Sequence, residues 1–269
     1  MYNAHCYPEL GTTSNKSSCR KFKQFGIKKA NSGDQNRHIN CLCIMLTVIP
    51  NLRQHLKGGE VFVIAIIDYG VGNLFSLQSS LHFIGADVIV TRDVAKIQQA
   101  DKILLPGVGA FGDAMGKLQN SGLADVVKTE AQNGKPLLGI CLGMQLLFSE
   151  SHEFGVHKGL DLISGRVVSL KSVFDKQQIE LKVPQIGWNK LVLKQDSPLL
   201  KYVAQGDFVY YVHSYYASEC DKSVAAFSDY GVEIPGLVQK GNVFGTQFHP
   251  EKSGEVGLNI LRAFTEVKG

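Results

Sequence analysis

Apolar and polar positions divide this 269-residue chain into two unlike parts. Residues 1–60 mix Asn, Ser, Lys and Gly with isolated apolar side chains and hold neither a period of two nor one of 3.6. From Val61 the pattern changes. Residues 61–67 form a continuous apolar run ending at Asp68-Tyr69-Gly70, the mark of a strand buried on both faces that enters a loop. Leu74, Leu77, Leu81 and Ile84 follow at helical spacing, and Gly85 supplies a stop. Residues 86–91, 101–105 and 136–140 read as further strands, the second of them ending in Pro106-Gly107-Val108-Gly109. A helix holding Leu123, Val126 and Val127 is closed by Asn133-Gly134, and another is expected from Cys141 to about Ser149. Strands and helices alternating on short links predict an α/β fold, a mostly parallel central sheet flanked by helices on both faces. Residues 165–170, 191–193, 208–213, 224–228, 234–240 and 243–247 read as strands joined by turns, so the second half should add a partly antiparallel sheet. A closing helix is expected from about Gly254 to Val267.

Charge sharpens the division. Residues 1–60 carry nine Lys/Arg against three Asp/Glu, whereas the whole chain has a formal charge of only +4. The basic excess belongs to the leader, and it gives no reason to expect a nucleic-acid partner. There is no run of about eighteen apolar residues to span a membrane, and the short run 41–49 lacks the flanks of a signal peptide. Cys141 and Cys220 are the only cysteines beyond residue 60, too far apart for a C-x-x-C site, which fits free thiols in the cytoplasm. Lys57-Gly58-Gly59-Glu60 is encoded by purine-rich codons that resemble a ribosome-binding sequence. The expectation is that residues 1–60 are a mis-assigned start, with the native chain beginning near Val61 to Val63; the alternative is a disordered basic arm.

The chemistry gathers at Gly139-Ile140-Cys141-Leu142-Gly143. A Cys between a strand and a helix, with Gly two residues before and two after, has the form of a nucleophile elbow. Such a turn lifts the sulfur into the open at a helix N-terminus, where thiolate is favoured. A small Cys packed at a helix start is the bland alternative. Its base is sought among His82, His152, His157, His213 and His249. His249 follows a strand, and Pro250 biases it to extended backbone. Glu251, two residues on, then projects to the same side and can orient the ring towards Cys141. His82 fits a helix face, and His213 a pocket wall. Val108 N–H, in the glycine loop, and Leu142 N–H are candidates for an oxyanion hole; the bland reading of that loop is a tight turn.

Six segments, in order, resemble the class I glutamine amidotransferases: 68–74 (DYGVGNL), 106–111 (PGVGAF), 139–145 (GICLGMQ), 184–189 (PQIGWN), 212–215 (VHSY) and 247–253 (QFHPEKS). They are most similar to the glutaminase subunits of imidazole glycerol phosphate synthase, the branch that carries Met, as at Met144, where related glutaminases have His. Met144 and the 184–189 segment speak against an anthranilate-type glutaminase, and the complete Cys141, His249 and Glu251 set speaks against an inactive binding module. The resemblance implies a flavodoxin-like amidotransferase domain over residues 61–269. It implies L-glutamine as substrate, with Cys141 attacking its amide, His249 shuttling the proton and Glu251 orienting His249. Gly109, Gln145, Ser214 and Tyr215 match positions that hold glutamine. Asn73, Trp188, Tyr210 and Lys252 match positions facing a partner cyclase, a (β/α)8 barrel on a separate chain that would complete a heterodimer of histidine biosynthesis. No metal or organic cofactor is implied. Trp188 in a turn-like Gly-Trp-Asn suits an interface anchor, against the alternative of a core Trp.

Overall fold

The computed structural model describes residues 62–269; the expected leader, 1–60, and Val61 lie outside the described residues. The chain opens with β1 (Val63–Ile67), α1 (Leu74–Phe83), β2 (Asp87–Thr91), α2 (Val94–Gln99), β3 (Lys102–Gly107), α3 (Phe111–Asn120), α4 (Leu123–Gln132), β4 (Leu137–Cys141) and α5 (Leu142–Leu146). It continues through β5 (Phe148–Ser151), β6 (His157–Lys158), β7 (Ile163–Ser169), α6 (Leu170–Gln177), β8 (Gln185–Lys190), β9 (Val192–Leu193), β10 (Phe208–His213) and β11 (Tyr215–Ser218). β12 (Val224–Asp229), β13 (Glu233–Lys240), β14 (Val243–Thr246) and α7 (Gly254–Glu266) complete it.

The main sheet has the order β2-β1-β3-β4-β14-β13-β12-β9. From β2 to β14 every pairing is parallel, and from β14 to β9 every pairing is antiparallel. Period-two alternation divides its side chains between two cores. On β1, Ile64 and Ile66 face one core and Ala65 and Ile67 the other. Leu77 and Leu81 of α1 and Ile260, Leu261 and Phe264 of α7 close the first; Ile97 of α2, Met115 of α3 and Val127 of α4 close the second. Both faces are therefore covered, which is why the parallel strands read as unbroken apolar runs.

Three features differ from the sequence pattern. Where one helix was expected between Gly109 and Asn133, two form, broken at Gly122, whose φ of 73° only glycine adopts readily. The expected helix to Ser149 stops at Leu146. The returning chain takes the carbonyls that a longer helix would use: Leu160 N–H donates to Leu146 O (2.8 Å) and Leu162 N–H to Leu147 O (2.9 Å). Residues 148–151 then join a four-stranded sheet, β11-β7-β5-β6. Trp188, expected in a turn, lies in β8, paired antiparallel with β10 opposite Tyr210.

The small β8–β10 sheet is tied to the main one by a polar relay. Tyr211 is fully buried; its hydroxyl donates to Ser228 Oγ on β12 (2.9 Å), and Ser228 Oγ donates to Lys190 O on β8 (2.7 Å). Tyr211→Phe leaves the ring packed and removes one buried donor. We expect a loss of about 1 kcal/mol in stability, read as a lower urea midpoint with an unchanged slope.

Candidate active site

β4 ends at Cys141, whose φ of 55° and ψ of −111° turn the chain sharply into α5. A non-glycine residue held there stores on the order of 1–3 kcal/mol of backbone strain, which the surrounding packing must sustain. The flanking glycines make the turn sterically feasible. A Cβ at Gly143 would lie 1.8 Å from Leu105 O, and one at Gly139 would lie 2.6 Å from Gly143 O. The elbow is therefore wedged between β3 and β4 with no room for side chains on either side. A five-residue helix supplies little macrodipole, contrary to expectation, so stabilisation of a thiolate falls to donors close to the sulfur.

Cys141 opens onto a cleft of about 490 Å³ at the carboxyl end of the parallel strands. Val108, Gly109, Leu142, Gln145, Ser214, Tyr215 and His249 line it with Cys141, so every expected catalytic, oxyanion and substrate-holding residue but Glu251 reaches this wall. Glu251 stands behind His249. Its Oε1 lies 2.8 Å from His249 Nδ1, and both side chains are 4% exposed. The route differs from expectation: His249 is extended, but Glu251 comes back to it from a 3-10 turn over Pro250–Lys252. With Nδ1 engaged by the carboxylate, Nε2 is the nitrogen left for Cys141. Burial alone would lower the His249 pKa, but hydrogen bonds and charge from Cys141 and Glu251 outweigh it and raise the value to about 9. The ring is thus a protonated partner beside the sulfur at neutral pH.

His213 behaves in the opposite way. Burial pushes its pKa down to about 4, opposed by the Tyr215 carbonyl and helped by His249. Its Nδ1 lies 2.9 Å from Tyr215 O, so that nitrogen carries the proton. It is a neutral wall of the cleft and no second base. Among the described residues no group of three His, Cys, Asp or Glu side chains is placed to share a metal ion.

Residues 65–267 match the family model described as glutamine amidotransferase class-I. The chain belongs to the class I glutamine amidotransferase family. The amidotransferase is 51% identical over 205 residues to imidazole glycerol phosphate synthase subunit HisH of Bacillus cereus strain ATCC 14579, covering 76% of this chain and 95% of the relative. It is 48% identical over 206 residues to the subunit of the same name from Caldanaerobacter subterraneus subsp. tengcongensis, covering 76% and 98%. Among solved structures, PurLQS from Thermotoga maritima matches with a TM-score of 0.59 at 21% identity, over 77% of this chain and 98% of that one. A GMP synthase subunit from Thermoplasma acidophilum matches with a TM-score of 0.56 at 19% identity, over 77% and 93%. At these identities the structures speak for the fold alone.

Two polar residues in or behind the wall of the amidotransferase cleft escaped the sequence reading. Glu153 is buried in its wall and accepts the Phe111 N–H at the start of α3 (2.5 Å). Nothing local in Ser151-His152-Glu153 marks it; β5 and the loop after it bring it in. Gln247, two residues before His249, is fully buried beside Cys141. The expected partner-facing residues of the amidotransferase split into two groups. Trp188 and Tyr210 meet edge to face at 6.0 Å, and Lys252 Nζ stands 6.0 Å over the Tyr210 ring. Asn73 caps α1, its Oδ1 accepting from Ser76 N–H (3.4 Å), and lines a narrow cavity with Val108, His249 and Glu251.

Proposed function

We propose that this amidotransferase is the glutaminase subunit of imidazole glycerol phosphate synthase, with Cys141, His249 and Glu251 as its catalytic set. The observation that carries the reading is the buried His249–Glu251 contact beside a strained Cys141 at the floor of one cleft. Sγ attacks the side-chain amide carbon of glutamine, and the carbonyl oxygen gathers negative charge between the Val108 and Leu142 N–H groups. As the tetrahedral centre collapses, His249 gives its proton to the departing nitrogen, releasing ammonia and leaving a γ-glutamyl thioester. Neutral His249 then takes a proton from water, whose oxygen attacks the thioester. Glutamate leaves and the Cys141–His249 pair is restored. Gly109, Gln145, Ser214 and Tyr215 hold the substrate. Glutamine brings an α-ammonium, and Glu153 is the one carboxylate among the lining residues of the cleft, so it is the partner for that charge.

The ammonia is passed to a separate (β/α)8 cyclase subunit, which uses it to form imidazole glycerol phosphate and aminoimidazole carboxamide ribotide. Trp188 supports this docking face. It is 52% exposed on the short β8–β10 sheet, held by Tyr210 and neighboured by Ile186, also exposed. An aromatic anchor held rigid before binding is what a protein interface favours. Asn73, Tyr210 and Lys252 complete the proposed contact.

The test is glutamine hydrolysis with and without the cyclase. Glutaminase activity should rise on adding the cyclase and its nucleotide substrate, and Trp188→Ala should weaken the complex by roughly tenfold or more. Activity indifferent to the cyclase would refute the assignment.

A further inference from the structure

β14 lies beside β4 in parallel register, with Thr246 opposite Ile140. Cys141 is the next residue of β4, and Gln247 is the first residue after β14 ends at Thr246. Gln247 is fully buried, and its backbone N–H is fixed to Gly236 O at 2.9 Å. Its Nε2 lies 3.8 Å from Cys141 Sγ. Its Oε1 lies 3.0 Å from Gln145 Nε2, and that same Gln145 nitrogen lies 2.8 Å from Tyr215 O.

The polarity of this chain is set by its far end. A backbone carbonyl only accepts, so the group facing Tyr215 O must be the NH2 of Gln145. Its second hydrogen goes to Gln247, so the group of Gln247 that faces Gln145 must be the oxygen. The NH2 of Gln247 is then left facing the sulfur. We infer that Gln247 is a further residue of the reaction, a fixed hydrogen-bond donor that favours the Cys141 thiolate, held in that orientation by Gln145. A donor aimed at the charged form favours it, and here the short α5 leaves that task to local groups. The arrangement also links the two halves of the site: the side chain assigned to grip glutamine sets the orientation of the one that holds the nucleophile.

The inference rests on Cys141 as the nucleophile. Other titratable groups bear on the same sulfur. His249 touches it directly, with Glu251 and His213 acting through His249. Tyr69 senses its charge while its hydroxyl donates to Pro106 O (2.8 Å). Glu153, Tyr215 and Lys252 line the same cleft. The experiment must therefore leave all of these in place.

The full chain, in complex with the cyclase, is compared with Gln247→Met and Gln145→Met, both close in volume and lacking the amide. Iodoacetamide alkylation of Cys141 is followed from pH 5 to 10 by mass spectrometry of its peptide, alongside kcat and KM for glutamine. For Gln247→Met we expect alkylation at pH 7 to fall about tenfold, corresponding to about 1.4 kcal/mol. The midpoint of the profile should move up by about one pH unit, and the rate at high pH should be unchanged. kcat should fall while KM stays within about twofold. Gln145→Met should shift the profile in the same direction and also raise KM. A merely structural role would lower thermal stability without moving the midpoint. Superimposable profiles for wild type and Gln247→Met overturn the inference, as does an unmoved profile for Gln145→Met if Gln247→Met does not fold. Glutamine turnover surviving in Cys141→Ala overturns the nucleophile assignment itself, a separate outcome.

Discussion

Cys141→Ala should reduce glutamine hydrolysis by about 10⁴–10⁶-fold, the range set by loss of a nucleophile that acts as a unit with its base. Without the sulfur there is no thioester, and the Val108 and Leu142 donors can only polarise the amide for slow attack by water. The fold should survive. Alanine tolerates the elbow backbone about as well as cysteine, and the residue is nearly buried in a wall that the Gly139 and Gly143 close contacts already fix. Two readouts separate chemistry from folding. Glutamate release is followed in the complex with the cyclase, and cyclase turnover is followed with ammonium salts in place of glutamine. Glutamine-dependent turnover should vanish while ammonium-dependent turnover persists. Retention of more than about 1% of wild-type glutaminase activity would remove Cys141 from its role. Cys220 offers no substitute: burial first, and then the nearby Asp221, push its thiol up to about 12.

Much of this was legible in the sequence because the informative constraints are local. Val63–Ile67 and Leu137–Cys141 are apolar throughout, and Lys102–Gly107 is apolar after its first residue, since both faces of a parallel sheet are covered. The elbow is written in two glycines whose absent side chains are forced by backbone atoms closer than 3 Å. His249 and Glu251 lie two residues apart, so a short-range argument finds the pair even though the 3-10 turn differs from the extended segment it assumed. What stayed hidden is what tertiary pairing decides. Residues 144–147 (MQLL) are good helix formers, yet the helix does not run on, and Phe148–Ser151 becomes a strand because the chain at 157–167 supplies sheet partners. Gln185–Lys190 contains Gly187 and reads as a turn until β10 pairs with its whole length. Gln247 looks like one more residue of a strand end. Only the pairing of β14 with β4 brings the residue after β14 to the end of β4, where its side chain meets Cys141. Met144 is likewise placed only by the fold: it is fully buried against Gly245, where a Cβ would sit 2.6 Å from its Cγ.

Glu251→Gln tests the other end of the catalytic set, and its effect should be nearly as large. The substitution keeps the shape and removes the charge that holds His249 protonated. Burial alone lowers the His249 pKa, and the Cys141 and Glu251 contacts overcome it to reach about 9. With the carboxylate gone, burial regains its weight and the imidazolium releases its proton at lower pH. A glutamine amide also offers either its oxygen or its NH2 to Nδ1, and the NH2 selects the tautomer with its proton on Nε2, which cannot take a proton from the Cys141 thiol or from water. We expect kcat/KM to fall by roughly 10²–10⁴-fold, as in triads whose orienting carboxylate becomes an amide. The alkaline limb of the pH profile should move to lower pH, because the protonated ring is lost earlier. Stability carries the same sign. A histidine whose folded pKa lies above its unfolded value near 6.5 stabilises the fold fully below that pH, and the contribution fades as pH rises through about 9. The difference in urea midpoint between wild type and Glu251→Gln should therefore be larger at pH 6.5 than at pH 9.5. A difference that grows with pH, or an alkaline limb that stays in place, would mean that Glu251 does not hold the proton on His249.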